Sequence, residues 1–326
     1  METDVSVSGN VLEIQRMSTE DGPGLRTTLF LKGCSLHCRW CHNPESISPE
    51  LQLHWSGSRC LACGLCVSAC PENALSISGD GVGIDRSACQ ACGVCVSECP
   101  TASLEMWGGQ RSLDDVLGEL LRDKAYFGSD GGVTVSGGEA ALQPDFVRKL
   151  FIKLHAAGVS TALDTCGMCT VDAFRKACEF ADVILYDLKD SDPERHEENI
   201  GGNLGLIQNN FRQAVALVCA SMQQGQRPKK LWVRTPVVPG MTDSIDNIRG
   251  IAKFLKAEAK DAVERWELCA FNNLCSGKYL SLGGPWELAG TPLMGASEMG
   301  ALVGVAVAEG WPAERIRWTG MTRYES

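Results

Sequence analysis

The chain is short of positive charge: 30 Lys and Arg stand against 40 Asp and Glu, giving a net charge of −10. No basic tract offsets this locally, so binding to a phosphate backbone is not expected and nucleic acid is not an expected partner. No run approaches the ~20 apolar residues needed to cross a bilayer, and no N-terminal apolar segment reads as a signal peptide. The expectation is therefore a cytoplasmic protein without a membrane partner, in a reducing compartment that leaves thiols free for metal. Cysteine is abundant, with 17 in 326 residues, and the apolar fraction of 44% allows one large α/β domain plus a smaller unit.

Eleven of the 17 Cys fall into motifs. Cys34, Cys38 and Cys41 form a C-x3-C-x2-C run. Three thiol ligands leave one iron of a cubane [4Fe–4S] cluster open to bind and activate another molecule. The triplet alone also allows a zinc site completed by His37 or His42. Downstream, Cys60, Cys63, Cys66, Cys70 and Pro71 are echoed by Cys89, Cys92, Cys95, Cys99 and Pro100. This is the bacterial two-cluster ferredoxin pattern, in which the last Cys of each run ligates the other cluster. It assigns Cys60, Cys63, Cys66 and Cys99 to one [4Fe–4S] cluster, and Cys70, Cys89, Cys92 and Cys95 to a second. Gly64 and Gly93 permit close backbone approach to the sulfides. The stretch 52–105 cannot bury a sizeable apolar core and reads as a metal-held insert. It interrupts a larger domain formed by 1–51 and 106–326.

Alternating elements follow the insert. Helical periodicity marks 113–127, 145–157, 171–181, 206–222, 244–259 and 297–310. Strand-like runs lie at 132–136, 160–164, 183–188, 230–238, 266–271 and 315–318, after N-terminal strands near 11–17 and 25–32. A parallel βα succession results, fitting an α/β fold built on a partial (β/α) barrel with its site at the strand C-termini. Gly137-Gly138-Glu139, Asp164-Thr165, Asp187 with Lys189, and Arg234 all sit just after expected strands. The glycines allow close approach of an ammonium or carboxylate, and Arg234 offers a bidentate fork. Read alone, Gly137-Gly138 serves equally as a turn, and Asp187/Lys189 and Arg234 as surface charges. Cys166 and Cys169 read as small buried hydrophobes, because no third ligand lies nearby in the sequence.

Asp21-Gly22-Pro23-Gly24-Leu25-Arg26, the three-Cys run with His42-Asn43-Pro44, Ser136-Gly137-Gly138-Glu139, Leu163-Asp164-Thr165, Asp187-Leu188-Lys189 and Val237-Val238-Pro239-Gly240 together resemble the glycyl-radical-enzyme activating enzymes. These belong to the radical S-adenosylmethionine (SAM) superfamily, and the resemblance is to the branch with a two-cluster ferredoxin-like insert. It implies that Cys34, Cys38 and Cys41 hold the SAM-cleaving cluster, for three [4Fe–4S] clusters in all. It also implies that Gly137, Gly138 and Glu139 meet the methionyl end of SAM, and that Asp164, Thr165, Asp187, Lys189 and Arg234 line its site. A monovalent cation at Asp164 and Thr165 is implied as well. The implied reaction is reductive cleavage of SAM to a 5′-deoxyadenosyl radical, which takes a Cα hydrogen from a glycine of a partner glycyl radical enzyme. Flavodoxin or ferredoxin would supply the electron. One departure is Asn272, which stands where relatives often carry a histidine.

Overall fold

The computed structural model describes residues 7–79, 81–223, 228–259 and 261–325. Residues 1–6 of the expected first segment and residue 80 of the expected insert lie outside this description. The strands are β1 (Ser8–Ser18), β2 (Arg26–Leu31), β3 (Gln52–Trp55), β4 (Leu75–Ser78), β5 (Gly81–Ile84), β6 (Leu104–Trp107) and β7 (Gly109–Ser112). They continue with β8 (Gly132–Gly137), β9 (Ser160–Thr165), β10 (Val183–Asp187), β11 (Lys230–Val237), β12 (Val263–Ala270) and β13 (Ile316–Thr319). Among the described residues nine strands form one sheet in the order β13-β12-β11-β10-β9-β8-β2-β1-β7, and no pairing joins its two edges. From β2 to β13 every neighbouring pair is parallel and the strands follow chain order. This is an open, singly wound (β/α) barrel.

The parallel series begins one strand later than expected, because β1 runs antiparallel to β2 and β7 antiparallel to β1. The short Gly/Pro turn between β1 and β2 is the reason, since a parallel crossover needs a dozen or more residues. The expected helix 113–127 ends at Leu120 and tightens into a 3-10 turn. Asp123 within that turn is held from outside by the Thr27 hydroxyl at 2.8 Å and Arg16 at 2.7 Å, tertiary bonds that local periodicity does not report.

Helices Pro144–Ala156, Val171–Cys178, Leu204–Gln223, Ile245–Glu258 and Ala296–Ala308 cover one face of the sheet. Leu29, Val135, Leu163, Ile184, Val233 and Leu268 pack there against Phe151, Phe174, Phe211 and Leu255, all at most 0% exposed. Successive strand residues alternate faces. Ala162, Val183, Leu185 and Trp232 therefore form a separate apolar floor on the other face, and Asp164, Asp187 and Arg234 stand two positions further along the same strands. Polar groups thus collect at the strand C-termini above an apolar base.

Arg26 is fully buried where β2 begins. Its guanidinium donates to Thr134 Oγ1 at 2.6 Å and to the carbonyls of Val133 and Pro23, while Asp21 accepts from Ser18 and Thr28 at 2.6 Å each. Gly24 has φ +71°, and a Cβ there would lie 2.4 Å from the Gly131 nitrogen. The Asp21–Arg26 motif therefore locks the start of the parallel sheet. Residues 52–107 leave and return through β3 and β6, which pair antiparallel, and β4 pairs with β5 between them.

Candidate active site

Residues from β2, β8, β9, β10, β11 and β12 line one cavity of about 460 Å³ at the strand C-termini. Cys34, Cys38 and Cys41 line it on the loop that follows β2. That loop is pinned by backbone bonds from Gly33 to Ser46 at 2.8 Å, Cys34 to Ile47 at 2.9 Å and His37 to Ile200 at 2.9 Å. The C-terminal region holds its other side. The Tyr279 hydroxyl donates to the Cys41 carbonyl at 2.9 Å, and Trp286 Nε1 donates to the Arg39 carbonyl at 2.8 Å. The Tyr279 and Trp286 rings stack with centroids 5.0 Å apart. Leu36, Trp40, Val238, Phe271 and Trp286 form a small apolar core around the loop, against which Cys34 and Cys38 pack. The Leu36 N–H points at Cys34 Sγ at 3.4 Å, a donor suited to a metal-bound thiolate.

Gly137 and Gly138 both line the cavity, and both are required by packing as well. A Cβ on Gly137 would lie 2.1 Å from the Leu31 carbonyl oxygen, and one on Gly138 2.2 Å from that of Gly33. Glu139 lies elsewhere. It is 1% exposed, and its oxygens accept from the Ala141, Cys166 and Gly167 N–H groups at 2.9, 2.8 and 3.1 Å, the Thr165 hydroxyl at 2.7 Å and the Cys166 thiol at 2.9 Å. It braces the ends of β8 and β9, and the Thr165 hydroxyl, although Thr165 lines the cavity, donates to it. Asp164 faces the cavity with Ser136 Oγ at 2.7 Å and Arg234 at 3.5 Å. Burial raises its carboxyl to about 6, although Arg234 opposes the shift. Arg234 is further fixed by the Glu20 carbonyl at 3.0 Å. Lys189 Nζ meets Asp187 Oδ2 at 2.5 Å. Burial works against the Lys189 charge, but Asp187 and the Cys38 and Cys166 sulfurs outweigh it and keep the amine protonated.

The family model of the Radical SAM superfamily matches residues 28–255. The (2S)-3-sulfopropanediol sulfolyase activating enzyme of Bilophila wadsworthia is 38% identical over 287 residues, covering 87% of this chain and 91% of that protein. The benzylsuccinate synthase activating enzyme of Thauera aromatica is 39% identical over 289 residues, covering 86% and 84%. The isethionate sulfite-lyase activating enzyme of Desulfovibrio desulfuricans is 38% identical over 281 residues, covering 84% and 86%. This chain belongs to the glycyl-radical-enzyme activating enzymes of the radical SAM superfamily.

In this activating enzyme the cysteine-rich insert places its eight thiols in two groups. Cys60, Cys63, Cys66 and Cys99 surround one space, and Cys70, Cys89, Cys92 and Cys95 surround the other, so each run lends its last Cys across. Among the described residues no three His, Cys, Asp or Glu side chains converge as ligands of a single metal ion would. The backbone repeats with the sequence: Ala62 and Ala91 have φ +52° and +51°, and Gly64 and Gly93 have φ +80° and +79°. Matching N–H donors, Ala74 to Cys70 Sγ and Ser103 to Cys99 Sγ, both stand at 3.3 Å. Trp55 Nε1 is buried without an acceptor in the protein, and Cys60 is its neighbour. N–H donors directed at sulfur fit the chemistry of cluster-bound thiolates.

Sequence reasoning missed several cavity residues of the activating enzyme. Cys166 lines the cavity beside Cys34, and Ser136 orients Asp164. Strand alternation from Thr134 and from Asp164 is the signal that finds Ser136. Nothing local marks Tyr279 or Trp286, which lie in a glycine-rich stretch without periodicity. Asn272 turns its side chain to the Leu274 N–H at 3.2 Å, while its carbonyl accepts from His42 Nε2 at 3.0 Å. Among the described residues no helix is long and apolar enough to cross a membrane.

Proposed function

We propose that Cys34, Cys38 and Cys41 of this activating enzyme hold a [4Fe–4S] cluster whose open iron binds SAM in the 460 Å³ cavity. When bound, the cluster supplies the electron that splits SAM into methionine and a 5′-deoxyadenosyl radical, which takes a Cα hydrogen from a glycine of the partner glycyl radical enzyme. The protein's own part is placement and exclusion of water. Gly137 and Gly138 let the methionyl end approach the backbone. Arg234, tethered by Asp164 and the Glu20 carbonyl, keeps further N–H donors for a carboxylate. Lys189, with Asp187, brings a buried positive charge close to Cys38. A monovalent cation at this place would draw on the Asp164 carboxylate.

The observation that carries this reading is the convergence of three thiols with Gly137, Asp164, Asp187, Lys189 and Arg234 on one cavity. The insert, in the same reading, holds two further [4Fe–4S] clusters through its two thiol quartets, and takes electrons from flavodoxin or ferredoxin in a reducing cytoplasm. The test is anaerobic incubation of reduced, iron-loaded protein and SAM with glycyl radical enzymes encoded beside its gene. The expected result is a doublet-split organic radical in one partner by electron paramagnetic resonance, absent when its glycine becomes alanine. SAM cleavage without a radical on any of them would instead support modification of a small molecule or peptide.

A further inference from the structure

Helix Ser276–Ser281 connects two parts of the molecule. On one side it reaches the three-Cys loop: Tyr279 donates to the Cys41 carbonyl at 2.9 Å, and Lys278 Nζ meets Asn43 Oδ1 at 2.8 Å and Glu45 Oε1 at 2.5 Å. On the other side it ends in a left-handed turn at Gly283, φ +102°. There the Gly284 N–H bonds back to the Tyr279 carbonyl and the Gly283 N–H to that of Leu280. Such a cap satisfies two of the last carbonyls and leaves that of Ser281 open. Arg86 of the insert fills it. Its Nη2 donates to the Ser281 carbonyl and, at 3.1 Å, to the Leu53 carbonyl of β3. A Cβ on Gly283 would lie 3.6 Å from Arg86 Nε, so the turn passes directly beside the guanidinium.

Arg86 is also tied to one thiol quartet and not the other. Asp85 accepts from the Ser87 and Ala88 N–H groups at 2.9 and 3.2 Å, and its carbonyl accepts from the Cys89 N–H at 2.9 Å. Arg86 and Cys89 therefore belong to one rigid turn. A second route agrees. Leu53 lines the space around Cys70, Cys89, Cys92 and Cys95, and its neighbour Gln52 accepts from Lys32 Nζ at 3.1 Å, while the same amine donates to the Glu45 carbonyl at 2.6 Å. The Cys60 quartet is lined instead by Leu61, Leu65 and Ile77, which are 70%, 49% and 37% exposed.

We propose that Arg86 is a positioning residue that seats the Cys70/Cys89/Cys92/Cys95 site against the Cys41 loop, making it the inner and the Cys60/Cys63/Cys66/Cys99 site the outer of two electron stations. This rests on the reading of the insert as a holder of two clusters. With clusters bound, Cys60, Cys63, Cys66 and Cys99 would hold the centre that accepts one electron from a protein donor, and Cys70, Cys89, Cys92 and Cys95 the centre that would hand it on toward the three-Cys loop.

Two measurements on the full, iron-loaded chain test it. Amide hydrogen exchange should quicken about fivefold or more over 276–284 and 39–43 in Arg86→Ala, with Arg86→Lys intermediate, as befits one lost hydrogen bond; unchanged exchange in Arg86→Ala overturns the seat. In the reduced protein, a neighbouring paramagnet speeds relaxation of the SAM-cluster signal. That enhancement should vanish in Cys89→Ser/Cys92→Ser and persist in Cys60→Ser/Cys63→Ser. The reverse, or equal loss in both, overturns the inner and outer order. Iron analysis on the same samples separates the two readings: full iron in Cys89→Ser/Cys92→Ser would sink the cluster assignment itself, and the exchange result still judges Arg86.

Discussion

Glu139→Gln separates a brace from a ligand contact. One Glu139 oxygen accepts from the Ala141 N–H and the Thr165 hydroxyl, the other from the Cys166 and Gly167 N–H groups and the Cys166 thiol. A glutamine must place its NH₂ at one of these positions, and in either orientation it meets a backbone N–H that cannot turn away. The cheaper orientation leaves the Ala141 donor unpaired, while the Thr165 hydroxyl rotates to accept. One buried unpaired N–H costs about 1–3 kcal/mol, and the surviving bonds lose their charge assistance, for about 2–4 kcal/mol in all. At about 1.4 kcal/mol per decade, exchange of the amides of 141, 166 and 167 through local opening should quicken roughly 30- to 700-fold. The assay is hydrogen exchange with and without SAM, beside a direct SAM-binding measurement. Unchanged exchange together with lost SAM binding would refute the brace and put the Glu139 carboxylate on the ligand.

Replacing Cys34, Cys38 and Cys41 together by Ala should remove about four of about twelve irons per chain and abolish 5′-deoxyadenosine formation, read by iron analysis and chromatography. Asp164, its carboxyl raised by burial from 3.8 to about 6, binds its proton more tightly folded than unfolded. Its contribution to stability therefore falls as pH rises through that window and levels off above it; Asp164→Asn should remove this slope from unfolding midpoints measured across the window. Arg26→Met strands the carbonyls of Pro23 and Val133 and the Thr134 hydroxyl, and should cost about 3 kcal/mol or more, seen as rapid limited proteolysis. Ala62→Gly with Ala91→Gly relieves two left-handed alanines at about 1–2 kcal/mol each, so it should protect the metal-free insert from proteolysis.

The repeat of eight Cys and the strand-end positions of Asp164, Asp187 and Arg234 were legible because spacing and alternation are local properties of a chain. The match of the two runs did not by itself say which space Cys70 and Cys99 would line; that expectation came from the two-cluster ferredoxin pattern, and the structure places Cys99 beside Cys60, Cys63 and Cys66 and Cys70 beside Cys89, Cys92 and Cys95. The side chain of Glu139 was not legible: its direction depends on N–H groups of Cys166 and Gly167 in the next strand's loop, which no window around residue 139 contains. Nothing local marks Arg86 either, because its acceptor at Ser281 is 195 positions away. The antiparallel β1 and β7 edge was missed for a related reason: β7 gains its partner only after the insert has returned the chain to the sheet.

The pinch at β3 and β6 also bears on how the barrel assembles. β2 and β8 are neighbours in the sheet, yet Arg26 and Thr134, which bond across them, are 108 positions apart in sequence. Such a pairing has high contact order and is slow to form. Once β3 and β6 close, the insert drops out of the loop, which shortens to roughly half and lowers its closure entropy by about 0.6 kcal/mol. An insert pinched at its neck is therefore almost neutral to the sheet. Two adjacent strands can carry a whole second cysteine-rich body between them for less free energy than one good hydrogen bond contributes.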